Sequence, residues 1–216
     1  MKNVDASANR DLAQIENELA EPAHYFRHVV NALQSLPVTS IESCVERLVQ
    51  AYEMNRCVYV FGNGGSAALA SHVACDLGKG TMASGRRPLR VQSLVDNVSV
   101  LTAWANDSSY EDVFAAQLKC LPIEPDDIAF AISGSGNSPN VIRALRFARE
   151  VGLSTLGLTG FRGGAMKKLC DVCIVVPSEN MQQIEDCHLS IMHAVFLAVR
   201  HNLSVSNPVH SLGAFV

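Results

Sequence analysis

Twice in this chain an apolar run ends in a glycine and serine turn and opens onto a run with helical character. Cys57-Val58-Tyr59-Val60 leads into Phe61-Gly62-Asn63-Gly64-Gly65-Ser66, and Ile128-Ala129-Phe130-Ala131-Ile132 leads into Ser133-Gly134-Ser135-Gly136-Asn137-Ser138, with a helix starting near Pro139. Strand, glycine turn and helix N-terminus in that order are the parts of a βα unit. Glycines let the backbone approach a ligand closely, and the unpaired N–H groups of a first helical turn favour an anion. The hydroxyls of Ser133, Ser135 and Ser138 suit the terminal oxygens of a phosphomonoester, each donating one hydrogen bond. Neither loop carries the Lys-Ser/Thr pair of a P-loop or a G-x-G-x-x-G dinucleotide fingerprint. Gly and Ser also furnish ordinary βα turns for conformational reasons. It is the recurrence of the feature in one small chain that favours a phosphate-bearing ligand.

The rest of the chain repeats the alternation. Apolar positions at helical spacing run from about Leu12 to Leu33 and from Ile41 to Met54, divided by Leu36-Pro37-Val38-Thr39-Ser40. A helix from about Ala67 to Leu77 precedes a strand within Pro88 to Leu94. Helical pieces from about Val98 to Trp104 and Tyr110 to Leu121 lead to the Ile128 strand. A helix from Asn140 to Val151, a strand at Ser154 to Leu158, a short helix near Gly164 to Leu169, a strand at Cys173 to Val176 and a long helix from about Met181 to His201 follow. This order predicts a mainly parallel sheet covered on both faces, with ligand loops at the carboxyl ends of the strands. The two helices that precede the first strand have none between them, and are expected to pack on a neighbouring subunit as well as on their own sheet. With 216 residues, 48% of them hydrophobic, the chain is expected to form one domain around one good core.

Charge excludes some functions. Charged residues make up 18% of the chain, the formal net charge is −4, and no run of Lys or Arg occurs. A nucleic-acid or anionic-membrane surface therefore has no electrostatic support. The N-terminal residues lack an apolar signal core and no stretch is long enough to span a bilayer, so a cytoplasmic protein is expected. The seven cysteines are odd in number and scattered, unlike a secreted disulfide framework. Cys170-Asp171-Val172-Cys173 has redox-motif spacing but no second pair to complete a zinc site, and is read as structural.

A candidate acid–base or metal constellation lies on two helices. His72 and Asp76 are four residues apart, on one face, about two turns beyond the first loop. Glu185 and His193 are eight apart on the terminal helix, roughly 80° around it and about 12 Å along it, so they share a face only loosely. His188, three residues after Glu185, is a rival partner for it. Two imidazoles and two carboxylates make a suitable zinc or similar divalent site. The same spacings also arise as surface ion pairs and hydrogen-bonded core histidines. No G-x-S-x-G elbow is present, so a Ser-His-Asp hydrolase has no support.

Taken together, Gly62-Asn63-Gly64-Gly65-Ser66 with His72 and Asp76, Asn106-Asp107, the Ser133 to Ser138 loop, Leu158-Thr159-Gly160 with Gly163-Gly164, and Ile184-Glu185-Asp186-Cys187-His188 with His193 resemble the sugar isomerase (SIS) domain family, in its phosphoheptose isomerase branch. The resemblance runs from about residue 10 to 201. It implies a flavodoxin-like sheet in a single SIS domain over 1–216, with N-terminal helices at about 10–54 and an α/β core at about 56–201. It also implies a homotetramer with active sites between subunits, and conversion of sedoheptulose 7-phosphate to a D-glycero-D-manno-heptose 7-phosphate. By position Asn63, Gly64, Gly65, Ser66, Ser133, Gly134, Ser135 and Ser138 inherit sugar-phosphate binding, and Asn106, Asp107 and Glu185 inherit substrate contact. His72, Asp76, Glu185 and His193 inherit one zinc ion per subunit, with Asp76 as general base and His193 as general acid.

Three positions depart from that pattern. Asp76 stands where the family usually has Glu, Glu185 where it has Gln, and Gly134 where it has Thr. The shorter Asp76 reaches about 1 Å less far, which matters for near-attack geometry. A drifted site of this kind would also suit two alternatives: a non-catalytic phosphosugar-binding adaptor or regulator, of the type that binds a replication initiator, or an isomerase of a related sugar phosphate. The retention of His72 and His193 favours the enzyme.

Overall fold

A computed structural model describes residues 21–82 and 86–205. The predicted N-terminal helix is seen as α1, Pro22–Gln34, and the part expected at 12–20 lies outside the described residues. Then follow α2 (Val38–Glu53), β1 (Cys57–Gly62), α3 (Gly65–Gly80), β2 (Arg90–Ser93) and α4 (Val98–Asp107). A 3₁₀ turn at Tyr110–Asp112 precedes α5 (Val113–Cys120), β3 (Ile128–Ser133), α6 (Pro139–Glu150), β4 (Ser154–Thr159), α7 (Met166–Leu169), β5 (Val172–Val175) and α8 (Met181–Val205). The single helix expected from Tyr110 to Leu121 is thus divided. The Ser109 hydroxyl accepts from Glu111 N–H and stabilises a tight turn before α5 begins. α8 outruns its predicted end because Val199 and Leu203 are still buried at its far end.

All strand pairs are parallel, in the order β2-β1-β3-β4-β5. β1 and β3 lie inside the sheet and are buried along their whole length, which is why they read as continuous apolar runs rather than alternating ones. Their pleat divides the side chains between two cores. Val58, Val60 and Phe130 pack with Leu48, Val73, Ile184 and Val195 beneath α2, α3 and α8. Tyr59, Phe61, Ala129 and Ala131 face the other way, toward Phe114, Leu118, Val141 and Leu145 of α5 and α6. The N-terminal pair packs on its own subunit, with both α1 and α2 against α8.

This strand order places the reversal of winding between β1 and β3, where ligands bind in such sheets. Both glycine and serine loops leave from those two strands. At the opposite, amino end of the sheet the polar groups are structural. Asp127 is 2% exposed and accepts Cys57 N–H at 2.8 Å and Glu124 N–H at 2.9 Å, joining β1 to β3. Asp171 accepts Thr155 N–H at 2.8 Å and the Thr155 hydroxyl at 2.9 Å, joining β5 to β4. Cys170 and Cys173 belong to this packing. A side-chain carbon on Gly157 would lie 2.7 Å from one sulfur and 3.2 Å from the other. No helix among the described residues is long and apolar enough to cross a membrane.

Candidate active site at the sheet's carboxyl end

The first loop turns on Gly64, whose φ of 55° and ψ of −123° suit glycine and strain any residue with a side chain. α3 starts at once, so its first-turn N–H groups and positive dipole end face the loop's open side. Asn63 does not point freely into that space. It exchanges paired amide bonds with Asn140 at 2.8 and 2.9 Å and accepts from the Tyr110 hydroxyl at 2.9 Å. Asn140 sits in the first turn of α6 and is 2% exposed, so the amide pair locks the first loop to the helix that follows the second. Asn140 and Tyr110 were missed in the sequence. An Asn two residues after Ser138 was the only signal, and nothing in the spacing showed that it reaches Asn63.

The second loop is tied to the Gly160–Gly164 turn behind it. Asn137 Oδ1 accepts Ala165 N–H at 2.9 Å, Gly136 C=O accepts Met166 N–H at 3.1 Å, and Gly160 N–H donates to Gly134 C=O at 2.9 Å. The Ser133 and Ser138 hydroxyls lie 3.2 Å apart, and Ser138 makes no side-chain cap to α6, leaving both able to turn toward a ligand. Ser135 Oγ accepts Asn137 N–H at 3.2 Å. At Gly134 an added Cβ would lie 2.3 Å from Met181 Sδ, so α8's first residue fills the space a threonine there would need. Ile184 crowds Gly160 in the same way, at 2.3 Å from a Cβ built there. The first turn of α8 is therefore seated against the glycines of the second loop and its neighbour.

That seating brings α8 alongside α3 and assembles the candidate chemistry. His72 Nε2 lies 3.0 Å from His193 Nε2 and 3.2 Å from Asp76 Oδ2, and His193 Nε2 is 4.0 Å from the same oxygen. One donor atom from each of the three falls within 4.8 Å of the others. The structure thus gathers three members of the expected four. Glu185, more than two turns from His193 along α8, rests instead on the first loop, both its oxygens 2.9 Å from where a Cβ on Gly65 would be. It shares with His72 the lining of a cavity of about 280 Å³, together with Gly65, Ser66 and His188. His188 does not partner Glu185. Its ring is 1% exposed with neither nitrogen hydrogen-bonded, and burial pushes its pKa down to about 4, the Thr159 backbone opposing that shift. Asp186 accepts the Tyr25 hydroxyl at 2.6 Å, tying α1 to the cavity rim; burial and that carboxylate raise the phenol to about 12. Asn106 and Asp107 end α4 on the surface, bonded to each other at 2.8 Å, a few residues before the Tyr110 that reaches Asn63.

A doubly wound parallel sheet, two phosphate-type loops at its reversal point and an acid–base cluster between α3 and α8 together define the class. The SIS domain family matches residues 23–160, and the chain belongs to that family. Within it, the chain is similar to the phosphoheptose isomerase of Campylobacter concisus, 38% identical over 86% of this chain and 94% of that one. It is 43% identical to the phosphoheptose isomerase of Pelobacter propionicus over 69% of this chain and 78% of the relative. The solved phosphoheptose isomerase of Neisseria gonorrhoeae superposes with a TM-score of 0.76 at 29% identity, covering 83% of this chain and 96% of that one.

Proposed function

We propose that the chain is an aldose–ketose isomerase that converts sedoheptulose 7-phosphate to a D-glycero-D-manno-heptose 7-phosphate. One observation carries the reading beyond family membership: the cavity floored by the first phosphate-type turn, at Gly65 and Ser66, is walled by His72, whose ring is within 3.2 Å of Asp76 and 3.0 Å of His193. A phosphate held by the loops supplies remote binding energy that sets C1 and C2 against those side chains. Asp76 takes a proton from C1 while His193 gives one to the C2 oxygen, which yields the ene-diol. Loss of the O1 proton and return of a proton to C2 then complete the aldose.

The same three residues would supply donors suited to zinc, two imidazole nitrogens and one carboxylate oxygen within 4.8 Å of one another. We assign one zinc ion to His72, Asp76 and His193, with Glu185, which lines the same cavity as His72, as the fourth candidate ligand. When bound, such an ion polarises the substrate carbonyl. Exposed apolar side chains on α1 and α8, Phe26 and Val30, Leu189 and Leu197, support assembly into the homotetramer expected of the family. All seven thiols are unpaired, as in a reducing cytoplasm. The test is metal analysis of anaerobically purified protein, followed by NMR in D₂O with sedoheptulose 7-phosphate. Deuterium entry and aldose product are expected, and both should depend on bound zinc. Phosphosugar binding with neither would replace the isomerase by a binding protein.

A further inference from the structure

The chemistry above leaves one wall residue of the α3/α8 cavity without a task. His188 is almost wholly enclosed, at 1% exposure, yet neither ring nitrogen has a hydrogen-bond partner. Its surroundings on α8, Ile184, Ile191, Met192 and Val195, are apolar core. The nearby Thr159 carbonyl, which partly offsets the effect of burial on the ring, accepts Val176 N–H at 2.8 Å and forms no well-aligned hydrogen bond to either ring nitrogen. Burying a polar group without a partner is costly, and leucine would fill such a helix position without that cost. His188 is, however, among the residues that line the cavity with Gly65, Ser66, His72 and Glu185, its two nitrogens buried just behind that wall. It stands there in its neutral form, since burial holds its pKa near 4. A neutral imidazole offers one N–H donor and one lone pair. That combination does not attract a phosphate by charge, but it matches a hydroxyl, which donates and accepts in turn.

We propose that His188 is a substrate-binding residue whose imidazole takes a chain hydroxyl of the phosphosugar, between the phosphate held at the first loop and the carbons facing the His72, Asp76 and His193 cluster. The inference rests on reading this cavity as the phosphosugar site, but it does not depend on turnover. His188 thereby discriminates polyhydroxylated phosphates from phosphate itself.

The experiment measures affinity by calorimetry for sedoheptulose 7-phosphate and for inorganic phosphate, on wild type, His188→Leu and His188→Gln, alongside the melting temperature without ligand. Leucine should leave the melting temperature unchanged or raise it, weaken the sugar phosphate about tenfold and leave phosphate binding as it was. Glutamine, which keeps a donor and an acceptor, should restore most of the sugar affinity. Equal sugar affinity in wild type and leucine variant, or equal loss for both ligands with a lowered melting temperature, would overturn the proposal. ¹⁵N NMR of the wild-type imidazoles adds a readout independent of any variant's folding. The buried ring's resonances should move with sedoheptulose 7-phosphate and not with phosphate, and resonances that stay put with both would also overturn it. Binding without isomerisation in wild type would remove the proposed reaction while leaving this assignment standing. A wild type that binds no sugar phosphate would remove both.

Discussion

The two ends of the sheet treat polar side chains in opposite ways. At the amino end, Asp127 is buried and both its oxygens accept backbone N–H groups, while Asp171 serves Thr155 twice. At the carboxyl end, the oxygens of Glu185 rest on a glycine, His188 has no partner, and Asp76 shares its oxygen between two imidazoles. A satisfied buried carboxylate stabilises a fold, whereas an unsatisfied polar group is held in place by the packing around it and is free for a ligand. The stability of this protein should therefore be concentrated at one end and its chemistry at the other.

Substitutions can break that contrast. The largest effect is expected for Asp76→Asn, which should lower kcat about a thousandfold by removing the proton acceptor. Its melting temperature should change little and its affinity for phosphosugar should persist, both checked by steady-state kinetics and calorimetry. Retained turnover would remove Asp76 from the role of base. Asp127→Ala should do the reverse. Two backbone N–H groups lose a charged acceptor, at a cost of about 3–4 kcal/mol in urea denaturation, with kcat/KM of the folded enzyme unaltered.

A smaller effect sharpens the comparison through pH. The folded pKa of His188, near 4, lies below its ordinary 6.5, so between those values the unfolded chain binds more protons than the native one. The contribution is fully present above pH 6.5 and is lost as the pH falls toward 4, amounting to about 2 kcal/mol by pH 5. His188→Leu should remove that part of the acid slope, measurable as denaturation midpoints at pH 7 and 5. An unchanged slope would mean that the ring is not buried in its neutral form.

Much of the fold was legible because local patterns and tertiary burial agree here. β1 and β3 are flanked by glycine turns and apolar throughout, and their predicted positions hold to within two residues, since β1 merely continues through Phe61 and Gly62. His72 and Asp76 were legible as a pair because one helix fixes their spacing. Their meeting with His193 was not, because it depends on how α8 crosses α3, and that crossing is set by Met181 and Ile184 seating on Gly134 and Gly160. Glu185 shows the same limit. Spacing put it loosely on the His193 face, and packing placed it over Gly65.

The residues alone thus determined the alternation of strands and helices, the two phosphate-type turns, the His72 and Asp76 face and, through the spaced motifs, the family. Each of these follows from backbone geometry and side-chain period within a few turns of chain. Only the tertiary structure decided which three donors converge, that Asn140 and Tyr110 hold Asn63, and that His188 is buried at the wall of a cavity with no hydrogen-bond partner. Those facts depend on contacts between segments far apart in sequence, where close packing of one helix on another, rather than any local preference, chooses the neighbour.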